Sequence, residues 1–181
     1  MIKNINSSIF RAYDIRGVVT ADGLSCDVIY TIGLAIGSQI IESGDTKVVI
    51  GRDGRLSSPA LHDALQTGLH DSGCDITDIG LVPSPVVYYA AITLKIDAAV
   101  MLTGSHNPKD YNGLKIILGK KTLTAQKITM LYDRIIKGDL KYGAKRSNKD
   151  ASIHLLAQKL EFIHPVKKES ITIVAPAPKD S

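Results

Sequence analysis

The sequence predicts a three-layer α/β/α domain with a mixed, mostly parallel sheet, and three observations carry that prediction. Short apolar runs such as Lys47-Val48-Val49-Ile50-Gly51 and Ala98-Ala99-Val100-Met101-Leu102 end in polar, glycine-bearing turns, the pattern of buried strands. Segments with helical spacing alternate with them, which implies parallel strands joined by right-handed crossovers. The link from Thr103 to Leu114-Lys115-Ile116-Ile117-Leu118 is too short for a crossover, so that last strand should run antiparallel to its neighbour.

Each element has its own local justification. Phe10 to Thr20 opens with a polar turn and continues through Ile15-Arg16-Gly17-Val18-Val19 as a first strand. Ser25 is placed to cap a helix from about Asp27 to Glu42. Its apolar face includes Val28, Ile29, Ile32, Ala35, Ile36 and Ile40; Gly33 and Gly37 suit close packing on a sheet, and Gly44 stops it. After the 47–51 strand, Ser57 or Ser58 with Pro59 opens a helix to about Gly73. Asp75 to Val82 alternates as a third strand, and Pro83-Ser84-Pro85 leads into a helix from about Val86 to Leu94 that packs Val87, Tyr88, Ala91 and Ile92. Beyond Leu118, Gly119-Lys120-Lys121 is a turn and Thr124 caps a helix from about Ala125 to Lys137. The expected organisation is a domain over 1–137, a basic linker over 138–150, and a segment over 151–181 that starts a second domain or forms an irregular tail. That segment has weak helical periodicity to Phe162 and a strand at Ile171-Thr172-Ile173-Val174.

Composition narrows the function classes. Apolar residues make up 44% and charged residues 22% of the 181, ordinary for a soluble globular protein. No apolar run reaches membrane-spanning length and the first residues lack a secretory signal, so the expected location is cytoplasmic and no membrane partner is expected. The net charge of +4 belongs to the tail. Residues 1–136 hold 13 basic and 13 acidic side chains, whereas 137–181 hold nine and five. A neutral body with a basic, aromatic-poor tail argues against nucleic acid as a partner. Cys26 and Cys74 show no Cys-x-x-Cys spacing and are expected reduced and packed. His62 and His70, eight apart, lack the spacing of a metal pair and are expected at the surface or core edge.

The chemistry converges on Thr103-Gly104-Ser105-His106-Asn107-Pro108, a turn at the C-terminal end of the Ala98–Leu102 strand. Open α/β sheets bind their ligands at that edge. Residues alone leave Ser105 two readings, a turn hydroxyl bonded to nearby backbone or a reactive group. A Ser-His hydrolase ranks last, since neither the Gly-x-Ser-x-Gly elbow nor an acid partner is identifiable. Arg52-Asp53-Gly54-Arg55, at the end of the 47–51 strand, could contact phosphate through guanidinium forks or form a self-satisfied turn that holds neighbouring loops. Tyr13, Asp14 and Arg16 read, by themselves, as a surface turn with a local ion pair worth at most about 1 kcal/mol.

Three motifs in register over about the first 120 residues decide between these readings. Thr-Gly-Ser-His-Asn-Pro with Tyr111-Asn112-Gly113-Leu114-Lys115 resembles the phosphoserine loop of the α-D-phosphohexomutases. Phe10-Arg11-Ala12-Tyr13-Asp14-Ile15-Arg16-Gly17 and Gly51-Arg52-Asp53-Gly54-Arg55, with Ser57-Ser58-Pro59, match in the expected order. The variants are similar to the phosphomannomutase/phosphoglucomutase branch, and the match is to its amino-terminal domain.

The resemblance implies an isomerase that interconverts hexose 1- and 6-phosphates, with Ser105 carrying the transferred phosphoryl group and presenting it to Mg2+. It implies His106 in the cleft, Lys115 as general base or phosphate contact (otherwise a solvated strand-end lysine), and Tyr13 and Arg16 lining the cleft. Arg52, Asp53, Thr103, Gly104 and Asn107 support the loop. The implied substrate is mannose or glucose phosphate, with a bisphosphorylated hexose as activator. Such enzymes have four domains, and the metal-holding Asp-Gly-Asp loop, the sugar-choosing loop and the phosphate clamp have no counterpart in these residues. The expectation is therefore little or no turnover by this chain alone, or else a non-catalytic module binding a phosphosugar or a partner. Apolar faces left without a second domain would favour self-association.

Overall fold

A computed structural model describes residues 5–136, 159–163 and 170–174. One 3-10 turn, Ser7–Ile9, precedes β1 (Ile15–Val18), α1 (Cys26–Glu42), β2 (Lys47–Arg52), α2 (Ser58–Asp71), β3 (Asp75–Leu81), α3 (Ser84–Leu94), β4 (Ala99–Leu102), β5 (Tyr111–Leu118), β6 (Lys121–Thr122) and α4 (Ala125–Ile136). The main sheet runs β1-β5-β4-β2-β3, with β6 added to β5. β2 is parallel to both β3 and β4, while β5 is antiparallel to β4 and to β1. The short link after β4 thus reverses the chain as its length predicts. Apart from this sheet, β7 (Lys159–Ile163) pairs antiparallel with β8 (Ser170–Val174). Weak helical periodicity extended to Phe162, yet Lys159-Leu160-Glu161-Phe162-Ile163 also alternates at the strand period, and pairing decides between the two. The expected linker over 138–150 lies outside the described residues.

Side-chain alternation splits the core into two layers. Val48, Ile50, Val100, Leu102, Leu114 and Ile116 face α1, α2 and α4 in one cluster, and Val49, Ala99 and Met101 face Val87 and Ala91 of α3 in the other. Ser25 caps α1 as expected, its hydroxyl accepting from the Val28 amide at 3.3 Å. Arg134 of α4 clips that layer by donating to Glu42 at 2.8 Å, which holds the Glu42 carboxyl below its usual range.

Several details differ from the sequence reading. Gly33 packs on a helix and not on the sheet: a Cβ there would lie 2.8 Å from the Leu65 carbonyl oxygen and 3.2 Å from Gly68 Cα, so α1 and α2 cross backbone to backbone. Ile92 is 78% exposed, because it falls one residue, about 100° of helix, beyond the buried Ala91. Both cysteines are free, but only Cys74 is packed; Cys26 lies on the surface. His62 is buried, its Nε2 3.0 Å from Asp78 Oδ2, and His70 is exposed.

The crossing gives a direct test. Gly33→Ala gains about 1 kcal/mol of helix propensity, but its methyl meets backbone that cannot rotate away, and overpacking of this kind costs about 1–3 kcal/mol. The expected net result is a lower melting temperature by scanning calorimetry; an unchanged or higher one would refute the backbone contact.

Candidate active site

The serine loop takes its shape from where β4 ends. β2 and β4 run parallel to the same edge, with Arg52 beside Leu102, and Asp53 continues the pairing through its amide to the Leu102 carbonyl at 2.9 Å. That registers Asp53 beneath Thr103 and Gly104. Its Oδ2 accepts from Thr103 Oγ1 at 2.9 Å and from the Gly104 amide at 3.1 Å. Its Oδ1 accepts from the Arg55 amide at 3.1 Å and from Ser58 Oγ at 2.5 Å. Burial pushes this carboxyl up, but the four donors together outweigh it and hold the group below the ordinary aspartate range.

Two chains of hydrogen bonds run out from that carboxylate. The Ser105 amide donates to Thr103 Oγ1 at 2.9 Å, and Thr103 donates on to Asp53. On the other side, fully buried Asn112 donates through Nδ2 to Ser57 and Ser58, 3.0 Å each, and Ser58 donates to Asp53. Asn107 closes the turn with its amide and side-chain amide both on the Gly104 carbonyl, at 3.0 and 2.8 Å.

Of the two readings open to the Arg52-Asp53-Gly54-Arg55 turn, phosphate contact or holding neighbouring loops, Arg55 follows the second. Its side chain is 17% exposed, and Nε lies 3.3 Å from Asp53 Oδ2. Nη1 donates to the carbonyls of Pro108 and Tyr111, the latter at 2.9 Å; Nη2 donates to those of Ser105 and Asn107, at 3.1 and 2.7 Å. The guanidinium therefore fills the loop. A Cβ on Gly104 would collide with it, which is why this position carries a glycine here. Only the Gly-Arg-Asp-Gly-Arg spacing beside the serine loop hinted at this contact. Arg52 Nη1 donates to the Asp53 carbonyl oxygen at 3.4 Å.

At the top of this frame Ser105 is exposed and has φ +51°, the left-handed region, at a cost of about 1–2 kcal/mol for a residue with a Cβ. Its Oγ lies 3.1 Å from His106 Nδ1. Register places two cations nearby. Lys115 pairs with Met101 on the α3 side of the sheet, and Arg16, opposite Gly113, projects to that same side because Ile15 and Leu114 face the other. α3 packs on β2 and β4 and leaves both cations half-exposed. As diagonal cross-strand neighbours they stand roughly 7–8 Å apart at Cα. The Gly113 carbonyl ties that pair to the loop by accepting from the Thr103 amide at 2.9 Å. Arg16 Nε forms a 3.4 Å ion pair with Asp14 and no hydrogen bond. Tyr13 sits at the tip of the Arg11–Asp14 turn, 75% exposed.

The Mg2+ implied by resemblance finds no ready cage. Among the described residues no three His, Cys, Asp or Glu side chains gather to hold a metal, and the oxygens of Asp53, the carboxylate under the loop, are already occupied by donors. By themselves the described residues do not fit a metal centre.

An α/β/α sheet with an exposed serine on a clamped loop at its C-terminal edge defines a domain built to present a hydroxyl. The family model for the phosphoglucomutase/phosphomannomutase α/β/α domain I matches residues 7–141, and the chain belongs to that family. It is 54% identical over 137 residues to a phosphomannomutase/phosphoglucomutase of Pseudomonas aeruginosa PAO1, a match covering 76% of this chain and 29% of that protein. To a phosphoglucomutase of Neisseria meningitidis serogroup A it is 44% identical over 145 residues, 80% of this chain and 31% of the relative. A crystal structure of a phosphoglucomutase/phosphomannomutase family protein from Burkholderia thailandensis superposes with a TM-score of 0.72 at 43% identity, covering 78% of this chain and 32% of that one. The chain thus spans about a third or less of the length of these relatives.

Asp53→Asn should separate the loop frame from the rest of the fold. The amide would turn N–H donors toward donors already in place, a loss of about 1–3 kcal/mol. The folded carboxyl is held below the unfolded value of about 3.9, so its stabilisation is full above that pH and is lost as pH falls through the folded value. Acid titration of stability should accordingly be flatter in Asp53→Asn than in the parent between neutral pH and pH 3; superimposable profiles would contradict the assignment.

Proposed function

We propose that this chain is the phosphoserine-bearing domain of a hexose-phosphate mutase, with phosphorylated Ser105 as the group that exchanges with hexose 1- and 6-phosphates. The observation that supports it is the exposed Ser105 hydroxyl, 3.1 Å from His106 Nδ1, on a loop whose backbone is bonded at every turn. In the forward step the bond between Ser105 Oγ and phosphorus breaks and one from a sugar hydroxyl forms. The hydroxyl proton leaves to a base, and the serine oxygen departs as an alkoxide that recovers a proton. The resulting bisphosphorylated sugar returns its other phosphoryl group to Ser105. Positioning and charge dominate such transfers. His106 accepts or returns the serine proton, Arg16 supplies charge to the phosphoryl oxygens, and Lys115 acts as base or phosphate contact beside them. Tyr13 lines the approach. Thr103, Gly104, Asn107, Asp53 and Arg52 hold the loop.

The same reading takes the domain as residues 1–137 and the substrate as mannose or glucose phosphate, with a bisphosphorylated hexose as the phosphoryl source. It sets the reaction in the cytoplasm; among the described residues no helix is long and apolar enough to cross a membrane. The occupied carboxylate of Asp53 favours, as a second reading, a module that binds a phosphosugar without turning it over.

A coupled mutase assay on the purified chain, in magnesium buffer with mannose 1-phosphate and a hexose bisphosphate, is expected to give negligible turnover. Intact mass should nonetheless show one phosphoryl group, absent in Ser105→Ala. Robust turnover lost in that variant would show the domain sufficient, whereas no phosphoryl transfer in either protein would favour the binding module. Lys115→Arg then separates base from contact, since arginine keeps the charge but not a usable lone pair: slowed transfer with unchanged phosphosugar affinity identifies the base.

Self-association belongs to this proposal as well. Val86, Tyr89 and Ile92 are exposed on α3, an 11-residue helix without a charged side chain. Light scattering at high concentration should show reversible association that Ile92→Glu disperses, and a monodisperse parent would exclude it.

A further inference from the structure

Arg55 has five N–H donors. Nε faces Asp53, and the two terminal nitrogens are shared among four loop carbonyls, those of Ser105, Asn107, Pro108 and Tyr111. A guanidinium used in this way has no fork left for a phosphate. Its position is equally constrained from above, since Gly104 has no Cβ and one placed there would occupy the guanidinium site. Ser105, whose carbonyl it binds, holds a left-handed φ of +51° that is unfavourable for a residue with a side chain.

We infer that Arg55 is the positioning residue of the serine loop: its guanidinium, enclosed by four carbonyls, holds Ser105 in the left-handed conformation that aims Oγ outward, and does so without touching the phosphate. The geometric part stands on the contacts alone; its consequence for phosphoryl transfer rests on the function proposed above. Four convergent carbonyls cannot be left facing one another. Without the guanidinium their dipoles repel and the peptide after Ser105 turns, which carries Ser105 toward negative φ and swings the hydroxyl. Lysine retains the charge but offers a compact ammonium with three donors in place of a planar fork, so Arg55→Lys does not restore the arrangement. The charge itself also matters: a cation beneath the loop favours an anionic group on Ser105 through space, in a setting only partly open to water.

The experiment has three arms, all on the whole chain. In the unaltered protein, nitrogen-15 NMR should resolve the Arg55 Nη protons as separate, slowly exchanging signals, as hindered rotation in a carbonyl cage requires. A single averaged signal would overturn the proposal without any variant. In Arg55→Lys and Arg55→Gln, backbone couplings and residual dipolar couplings report the Ser105 φ while dispersed core amides report the fold. Ser105 should leave positive φ in both variants with the core signals unmoved; retention of positive φ in both would overturn the inference. Finally, phosphoryl transfer from the hexose bisphosphate to Ser105, in which an oxygen–phosphorus bond to Oγ forms as the sugar oxygen leaves, should slow about 100-fold in each variant, the scale of a 1 Å misplacement. Transfer at the parent rate would overturn it too. If the parent itself accepts no phosphoryl group, the mutase reading fails, and the first two arms still decide the role of Arg55.

Discussion

Asp53 is the anchor on which the site depends. A half-buried carboxylate at the end of a strand would ordinarily be a liability, because desolvation disfavours its charge. Here each oxygen receives donors from a different part of the chain: Oδ2 from Thr103 and Gly104 on the serine loop, Oδ1 from the Arg55 amide and from Ser58 at the start of α2. The charge-assisted bonds offset the desolvation and leave the carboxyl ionised at neutral pH. One group thereby sets the relative positions of the ends of β2 and β4 and the start of α2. Asn112 extends the frame to β5 by donating to Ser57 and Ser58 while its own Oδ1 takes the Gly113 amide at 2.9 Å.

Sheet order supplies the other half of the design. Because β5 returns antiparallel between β4 and β1, the strand that follows the serine loop lies immediately beside the one that carries it. Alternation then forces Lys115 to the side opposite the α1, α2 and α4 layer, and the β1 register brings Arg16 to that side as well. α3 packs on β2 and β4, so the two cations gain partial exposure next to the loop. The half-exposure of these two cations beside the loop thus arises from helix placement as much as from the residues themselves.

The fold was legible in the sequence to the extent that period and turn chemistry decide it. The four α-helices and strands β1 to β5 of the described sheet domain were foreseen within a few residues, as was the reversed direction of β5, since loop length alone excludes a crossover; the two-residue β6 falls where only a turn was expected. What escaped detection were contacts between segments distant in sequence. The spacing of Gly33 indicated a close approach but not that α2 would make it. Ile92 reads as core because a mostly apolar helix without a charged side chain carries little signal of which face turns inward. Resemblance placed Asp53 and Thr103 around the loop, but the four carbonyls that Arg55 serves lie 50 to 56 residues away along the chain, beyond any local pattern.

Ser105 shows why such contacts must carry the site. Glycine would occupy φ +51° with no steric cost, and local propensity alone would select it. A glycine has no hydroxyl, so a loop that is to offer one at this point must accept the strain of a Cβ in the left-handed region, about 1–2 kcal/mol. The Ser105 amide bond to Thr103, its carbonyl bond to Arg55 and the Asn107 turn each contribute net stabilisation of about 1 kcal/mol, enough together to exceed that cost. Their orientation matters more than their sum. All three act on the backbone, so the side chain is left exposed, its hydroxyl 3.1 Å from His106 Nδ1. Rigidity of the chain and freedom of the hydroxyl thus come from the same set of bonds, and a departure from local preference marks the residue that the rest of the loop is built to hold.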